Sequence, residues 1–142
     1  LFDLVRPGAA LFGEKDWQQL QVLSAMTRES GLPIRIIPGP TIREPDGLAM
    51  SSRNRFLTPE ERPRAASISQ ALREAAAKAS PAAAEAHMRT VIEAAGLDVQ
   101  YAVVRDAESL ESPISGRPHR ALIAARLGTV RLIDNAAWPS AV

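Results

Sequence analysis

Two short polar stretches of this 142-residue chain carry the side chains that could do chemistry. The later stretch, residues 41–54, reads Thr-Ile-Arg-Glu-Pro-Asp-Gly-Leu-Ala-Met-Ser-Ser-Arg-Asn. Its Pro-Asp-Gly portion has the composition of a tight turn. The hydroxyls of Ser51 and Ser52 and the planar guanidinium of Arg53 suit phosphate oxygens. A bare Ser-Ser-Arg is more often an ordinary polar loop, so this stretch alone is a weak signal.

The earlier stretch begins at Gly13 and reads Gly-Glu-Lys-Asp-Trp-Gln-Gln. Gly13 permits a close approach of the backbone, and the helix start that follows favours anions. Lys15 can neutralise phosphate charge, and Asp16 can hold a hydroxyl such as that of a ribose. Gln19 lies one turn further on the same helix face and can donate to a carboxylate while it accepts from a hydroxyl. The alternative is that Glu14, with the two charges after it, simply caps a helix.

A strand–helix–strand pattern positions both stretches. Residues 9–12 form an apolar run that predicts a buried parallel strand, residues 16–30 a helix that Gly31 ends, and residues 33–38 a second strand. Such a βαβ unit builds parallel sheets, whose ligands bind beyond the carboxyl ends of the strands. Two parallel strands need a larger sheet, so residues 1 to about 50 are expected to be the tail of an α/β domain.

Two helices are predicted after residue 54. Thr58 and Glu61 form a capping box around a proline, which predicts a helix from Pro59 to about Lys78 with its first turn disturbed by Pro63. A second helix is expected over residues 80–95, ended by a glycine.

Three strands follow these helices in the sequence. They are predicted over residues 99–104, 121–125 and 130–133, the last two joined by a turn around Gly128. Together with the helices, a small antiparallel sheet would form a compact α+β unit. We place the domain boundary near Asn54–Thr58, which divides the chain into residues 1–54 and 55–142.

Composition narrows the class of protein. Hydrophobic residues make up 46% of the chain, the net charge is +1, and there is no cysteine. The charge balance argues against a dedicated nucleic-acid binder, and the lack of cysteine excludes disulfides and thiolate chemistry. No apolar run is long enough for a bilayer span, so no membrane partner is expected. His87 and His119 lack partners at metal spacing, and Trp138 is expected to pack.

The two polar stretches closely resemble signatures of the pantoate–β-alanine ligase (pantothenate synthetase) family. The resemblance lies in residues 12–20 and 43–55, continues in residues 124–129 and 132–135, and covers essentially the whole chain. It implies the tail of a Rossmann-like nucleotidyltransferase domain followed by a small α+β lid domain with an antiparallel sheet. The Met-Ser-Ser-Arg segment is similar in role to the Lys-Met-Ser-Lys-Ser loop of class I aminoacyl-tRNA synthetases.

The resemblance implies a cytoplasmic enzyme that joins pantoate to β-alanine. ATP first forms pantoyl adenylate with release of pyrophosphate, Mg²⁺ accompanies the ATP, and the amine of β-alanine then displaces AMP. Gln19 would hold pantoate, while Ile42 and Met50 would frame the adenine through backbone groups. The other ATP contacts implied are Gly13, Glu14, Lys15, Asp16, Ser51, Ser52 and Arg53. Of these, Lys15, Ser51, Ser52 and Arg53 would act directly in catalysis at the phosphates.

The chain also departs from the family pattern. The His-Ile-Gly-His motif of the family, further pantoate contacts and most of its homodimer interface belong to an N-terminal half that this sequence does not contain. We therefore expect a larger protein and little or no ligase activity from this chain alone. The alternative is a non-catalytic interaction or regulatory module that retains nucleotide-binding loops. In the ligase interpretation, Asp46-Gly47 is expected to act as a hinge for a lid over the ATP site.

Overall fold

A computed structural model describes residues 2–139 of the chain. The chain folds as two compact units that divide between Thr41 and Ile42. Within the described range, no helix is long and apolar enough to cross a membrane.

The first unit contains the predicted strand–helix–strand arrangement. After a short helix α1 (Phe2–Val5), strand β1 (Ala9–Gly13) leads through a 3₁₀ turn (Glu14–Asp16) into helix α2 (Trp17–Glu29) and strand β2 (Arg35–Gly39). The strands pair in parallel, which confirms the βαβ prediction. Helix α2 begins later than predicted because residues 14–16 take the tighter 3₁₀ form. Leu11, in the middle of β1, is 70% exposed within the described chain.

The second unit begins with a hairpin and then forms three helices. A 3₁₀ helix (Ser52–Phe56) precedes α3 (Glu61–Ala65), α4 (Ser67–Ala75) and α5 (Pro81–Ala94). Our prediction of one helix over residues 59–78 was wrong. The helix is interrupted at Ala66, and α4 ends before Ala76.

The predicted helix starts are nevertheless present. Thr58 N–H donates to the Glu61 carboxylate at 3.0 Å and Glu61 N–H donates to the Thr58 hydroxyl at 3.2 Å, which confirms the capping box. Pro63 lies within the short α3, and the interruption of the helix comes after it, at Ala66. Ser80 caps α5 by accepting from Ala83 N–H at 3.2 Å.

A three-stranded antiparallel sheet completes the second unit, as predicted. Its strands are β3 (Asp98–Asp106), β4 (His119–Leu127) and β5 (Val130–Trp138), in the order β3-β4-β5. All three are longer than the predicted strands, because pairing continues through the polar residues at their ends, as between Asp106 and His119.

One face of this sheet and the helices enclose the core. The largest fully buried apolar side chains are Ile68, Met88, Ile92, Val104 and Ile123. Trp138 at the end of β5 is also buried, and its indole N–H donates to the backbone carbonyl of Ala75 at 2.8 Å. The tryptophan therefore packs as expected and links the sheet to α4.

The division between the units falls before the boundary expected near Asn54–Thr58. Residues 42–54 belong to the second unit, because Arg43 and Glu44 bond to residues much later in the chain. The Asp46-Gly47 turn, expected to act as a hinge, therefore lies inside the second unit rather than between the two.

Candidate nucleotide-binding loops

The first loop begins where both parallel strands end. Gly13 closes β1 and pairs with Gly39, which closes β2. A Cβ atom placed on Gly13 would meet nothing within 4 Å, so the space beside this backbone is open. The carboxyl edge of the parallel pair therefore permits a close approach of a ligand, as in other open α/β sheets.

The charged residues of the first loop lie in the 3₁₀ turn before α2. Glu14 and Lys15 are half-buried and make polar interactions of their own, whereas Asp16 is exposed. Asp16 occupies the N-cap position of α2, but its side chain makes no capping hydrogen bond. Its carboxylate is therefore not engaged in a capping hydrogen bond.

Gln19 borders a cavity within the first unit. The cavity has a volume of about 510 Å³ and is predominantly apolar. Its other lining residues include Phe2, Phe12, Leu23, Met26 and Leu32. A single amide at the edge of an apolar cavity can orient a small ligand that has both apolar and polar parts.

The second loop is a short hairpin over residues 42–50. Arg43 and Ala49 form an antiparallel bridge, and Met50 N–H donates to the Ile42 carbonyl at 2.8 Å. Gly47 takes φ +86° in the turn, a conformation that favours glycine. Ile42 and Met50 are 59% and 56% exposed, so the hairpin presents two apolar side chains on paired backbone positions.

The serines and the arginine follow the hairpin directly. Ser51 caps the 3₁₀ helix by accepting from Arg53 N–H at 3.3 Å. Ser52 and Arg53 are exposed at the start of this helix. No described carboxylate lies within ion-pair distance of Arg53, whereas Arg55 lies over the ring of Phe56 at 4.7 Å. The Arg53 guanidinium is therefore available for an anion.

A network of charged side chains underlies the second loop, and sequence reasoning missed it. Arg43 forms a two-pronged pair with Asp134 of β5, at 2.6 and 3.1 Å. Glu44 accepts from Asn54 at 2.6 Å and from Arg62 at 2.5 Å. These bonds, first that from Asn54 and then that from Arg62, lower the pKa of Glu44. Arg43 and Asp134 both lay in motif stretches, but nothing in the sequence paired them.

The predicted site residues divide between the two units. Gly13, Glu14, Lys15, Asp16 and Gln19 lie in the first unit, and Ile42, Met50, Ser51, Ser52 and Arg53 lie in the second. Each set is contiguous in its own loop or in the helix turn after it.

The two histidines take structural positions. His87 pairs with Glu74 at 2.8 Å, and the ring of His119 stacks on Trp138. Over the described residues, no group of three or more His, Cys, Asp or Glu side chains could hold a metal ion. The described part of the chain therefore offers no metal cage of its own.

Comparison with known proteins identifies the relatives. A sequence model of the pantoate–β-alanine ligase family matches residues 1–137. The chain is 48% identical to a pantothenate synthetase of Rubrobacter xylanophilus and 50% identical to one of Myxococcus xanthus, over 98% and 95% of its length. It spans about half the length of these curated relatives, 50% and 49% respectively.

Solved structures match as well. The pantothenate synthetase of Thermus thermophilus aligns with a TM-score of 0.84 at 38% identity, over 95% of this chain and 51% of that one. The pantoate–β-alanine ligase of Francisella tularensis, solved as a complex with β,γ-ATP and β-alanine, aligns with a TM-score of 0.72 at 28% identity, over 96% of this chain and 46% of that one.

The structural match gives the fold class of the chain, and the sequence model gives its family. A Rossmann-like nucleotidyltransferase segment followed by an α+β domain is the class to which the structural match assigns the chain, as predicted. Within that class, the chain belongs to the pantoate–β-alanine ligase family, since the family model covers nearly all of it.

Proposed function

We propose that this chain forms part of an ATP-dependent ligase that condenses pantoate with β-alanine to give pantothenate, AMP and pyrophosphate. The observation that carries the proposal is the family match over residues 1–137, which contains both polar loops. The Francisella tularensis relative, solved with β,γ-ATP and β-alanine, supports the substrate class.

The first loop takes the phosphates and ribose in this proposal. Lys15 neutralises phosphate charge, and the exposed Asp16 accepts a hydrogen bond from a hydroxyl of the ribose. The open space beside Gly13 allows the triphosphate to approach the backbone, with Glu14 as a further contact of the same turn.

The second loop takes the adenine and the departing pyrophosphate. The exposed pair Ile42 and Met50 borders the adenine, whose edge would meet the hairpin backbone. Ser51, Ser52 and Arg53 bind the phosphates. The guanidinium of Arg53 also stabilises the negative charge that develops on the departing pyrophosphate.

Pantoate would occupy the apolar cavity beside Gln19. Pantoate carries a branched apolar carbon as well as hydroxyl and carboxylate groups. The apolar walls suit the carbon skeleton, and the amide can donate to one oxygen while it accepts from another. Gln19 thus orients the carboxylate for the first step.

The chemistry needs no protein nucleophile. A carboxylate oxygen of pantoate attacks the α-phosphorus of ATP, and the bond to the β-phosphate oxygen breaks to release pyrophosphate. The amine of β-alanine then attacks the acyl carbon of pantoyl adenylate, loses a proton and expels AMP. Fixed cations and N–H donors help most where charge develops, which is the role assigned to Lys15, Ser51, Ser52 and Arg53.

We further propose that the 142-residue chain alone turns over poorly, because it spans only half the length of its relatives. The active form would be a longer homodimeric protein whose N-terminal half supplies the remaining contacts and the dimer interface. Nucleic acids and membranes are not among its proposed partners. The cytoplasm is the proposed location.

The experiment measures pantothenate formation from ATP, pantoate and β-alanine by the full-length protein that carries this chain. Lys15→Ala should lower pantoate-dependent pyrophosphate release by about 100-fold or more, because a charge aimed at the transition state is lost. Lys78→Ala is the matched control, since this lysine follows the turn after α4, and it should leave the rate unchanged. ATP binding without pantoate-dependent pyrophosphate release would contradict the proposal and favour the non-catalytic module.

A further inference from the structure

The side-chain amide of Asn54 connects the end of the Ser51–Arg53 segment to the hairpin that precedes this segment. Asn54, in the 3₁₀ helix, donates to the Ala49 carbonyl of the hairpin at 3.1 Å. The same amide group donates to the Glu44 carboxylate at 2.6 Å. Asn54 is buried, whereas the side chain of Glu44 is 24% exposed. The geometry of residues 51–53 therefore depends on where Glu44 is held.

Arg62 of α3 holds Glu44 in that place. One guanidinium nitrogen of Arg62 donates to Glu44 at 2.5 Å, and another donates to Asp46 at 2.8 Å. Glu44 begins the turn of the hairpin and Asp46 lies within it, where Asp46 also accepts from Leu48 N–H at 3.1 Å. A planar guanidinium can bridge two such acceptors with little freedom of movement, whereas a lysine could not do so in the same way.

The charges at this junction favour the bridged arrangement. The hydrogen bonds of Arg62 to Glu44 and Asp46 raise the pKa of its guanidinium, and the hydrogen bonds of Glu44 lower the pKa of that carboxyl. Glu44 and Arg62 are therefore both ionised near neutral pH, as the bridge between them requires.

We propose that Arg62 is a positioning residue for adenylation, acting through Glu44 and Asn54 on the Ser51–Arg53 segment. This inference rests on the proposed function and adds to it a residue outside the predicted ATP contacts. The segment must hold hydroxyl and guanidinium groups close to their place in the transition state, and small displacements of such groups are costly. Loss of Arg62 leaves the Glu44–Asn54 junction without its support in α3.

Arg64 provides the matched control on the same short helix. Its guanidinium donates to the backbone carbonyls of Ala95 and Gly96 at 2.7 Å each, at the end of α5. It has a structural role of similar kind, with two hydrogen bonds to the rest of the second unit, but those bonds do not reach the hairpin. A purely structural role for Arg62 predicts the same behaviour for both variants.

The test compares kcat and KM for ATP, in pantoate-dependent pyrophosphate release by the full-length protein, with the thermal midpoint of each variant. Arg62→Ala should lower kcat by about tenfold to 100-fold and also raise KM for ATP, because the displaced segment contains Arg53, which is proposed to bind ATP. Arg64→Ala should lower the thermal midpoint without lowering kcat. Arg62→Lys should recover part of the loss, because it can pair with one of the two carboxylates.

Equal kcat values for wild type and Arg62→Ala would overturn the proposal, as would an equal loss of kcat in Arg64→Ala. If Arg62→Ala does not fold, Glu44→Gln keeps the shape of the junction and weakens its bond to Arg62. It should lower kcat in the same direction, and an unchanged kcat would count against the proposal. A failure of the proposed function shows itself differently, because the wild-type protein would then release no pantoate-dependent pyrophosphate.

Discussion

The pair between Arg43 and Asp134 predicts an asymmetric loss of stability. The side chain of Asp134 is 3% exposed and that of Arg43 is 33% exposed. Arg43→Ala leaves a buried carboxylate with the Asn135 N–H at 2.8 Å as its remaining described donor outside the pair. Asp134→Asn instead leaves a guanidinium that water can reach. Arg43→Ala should therefore lower the free energy of unfolding more than Asp134→Asn does.

The expected magnitudes follow from this difference in exposure. Breaking a buried pair by removing one partner costs about 3–5 kcal/mol, and the partial exposure of Arg43 puts the loss for Arg43→Ala near the lower end, about 3 kcal/mol. Asp134→Asn keeps one acceptor and should cost about 1 kcal/mol. The double variant should be more stable than Arg43→Ala alone, because it no longer buries an unpaired charge.

Urea unfolding of the full chain measures these losses. Trp138 lies in the second unit, so its fluorescence in a Trp17→Phe background reports on this unit. For a slope of about 2 kcal/mol/M, a loss of about 3 kcal/mol lowers the midpoint by about 1.5 M. Equal losses in the two single variants, or a double variant less stable than Arg43→Ala, would refute the argument that a stranded carboxylate is the cause.

Two further predictions concern stability. Gly47 and Gly116 have φ of +86° and +83°, but a Cβ on Gly47 would lie 2.9 Å from the Ser69 hydroxyl, whereas one on Gly116 meets nothing within 4 Å. In thermal unfolding, Gly116→Ala should lower the free energy of unfolding by about 1 kcal/mol because of backbone strain alone, and Gly47→Ala should lower it by clearly more. Equal losses would show that the Ser69 side chain moves away from the added Cβ at no cost. Hydrogen bonds from Ser109 N–H, then from Glu108 N–H, lower the pKa of Asp106, so its stabilisation should be complete above its unfolded pKa of about 3.9 and should disappear as pH falls through the lower folded value. Urea midpoints of Asp106→Asn and wild type, measured between pH 2 and 6, should therefore converge at the acid end, and a constant gap would contradict this assignment.

Local patterns were sufficient for the elements around the first loop. Glycines and prolines delimit β1, an apolar stripe marks α2, and the parallel pairing follows from the short connection through a helix. The capping residues before α3 and α5 could also be predicted from the sequence, because their hydrogen bonds join residues three apart. These are all interactions that neighbours in sequence can make.

The support of the second loop could not be predicted in this way. Arg43 bonds to Asp134 across most of the second unit, and Arg62 returns to Glu44 from a different helix. Residues 42–54 therefore join the second unit through contacts that have no local signature. The expectation of a hinge at Asp46-Gly47 rested on placing this loop between two domains, and no local pattern showed that Asp46 bonds to Arg62.

The most direct test of the central claim compares ATP with AMP in calorimetric titrations of the full-length protein. If Lys15 and Arg53 bind the phosphates of one nucleotide, Arg53→Ala should weaken ATP binding by about tenfold to 100-fold and leave AMP binding nearly unchanged, since AMP lacks the departing phosphates. Lys15→Ala should also weaken ATP binding, and Arg55→Ala, whose guanidinium lies over the Phe56 ring, is the neighbouring control. Equal weakening of both nucleotides by Arg53→Ala, or ATP binding unchanged by either variant, would contradict the account.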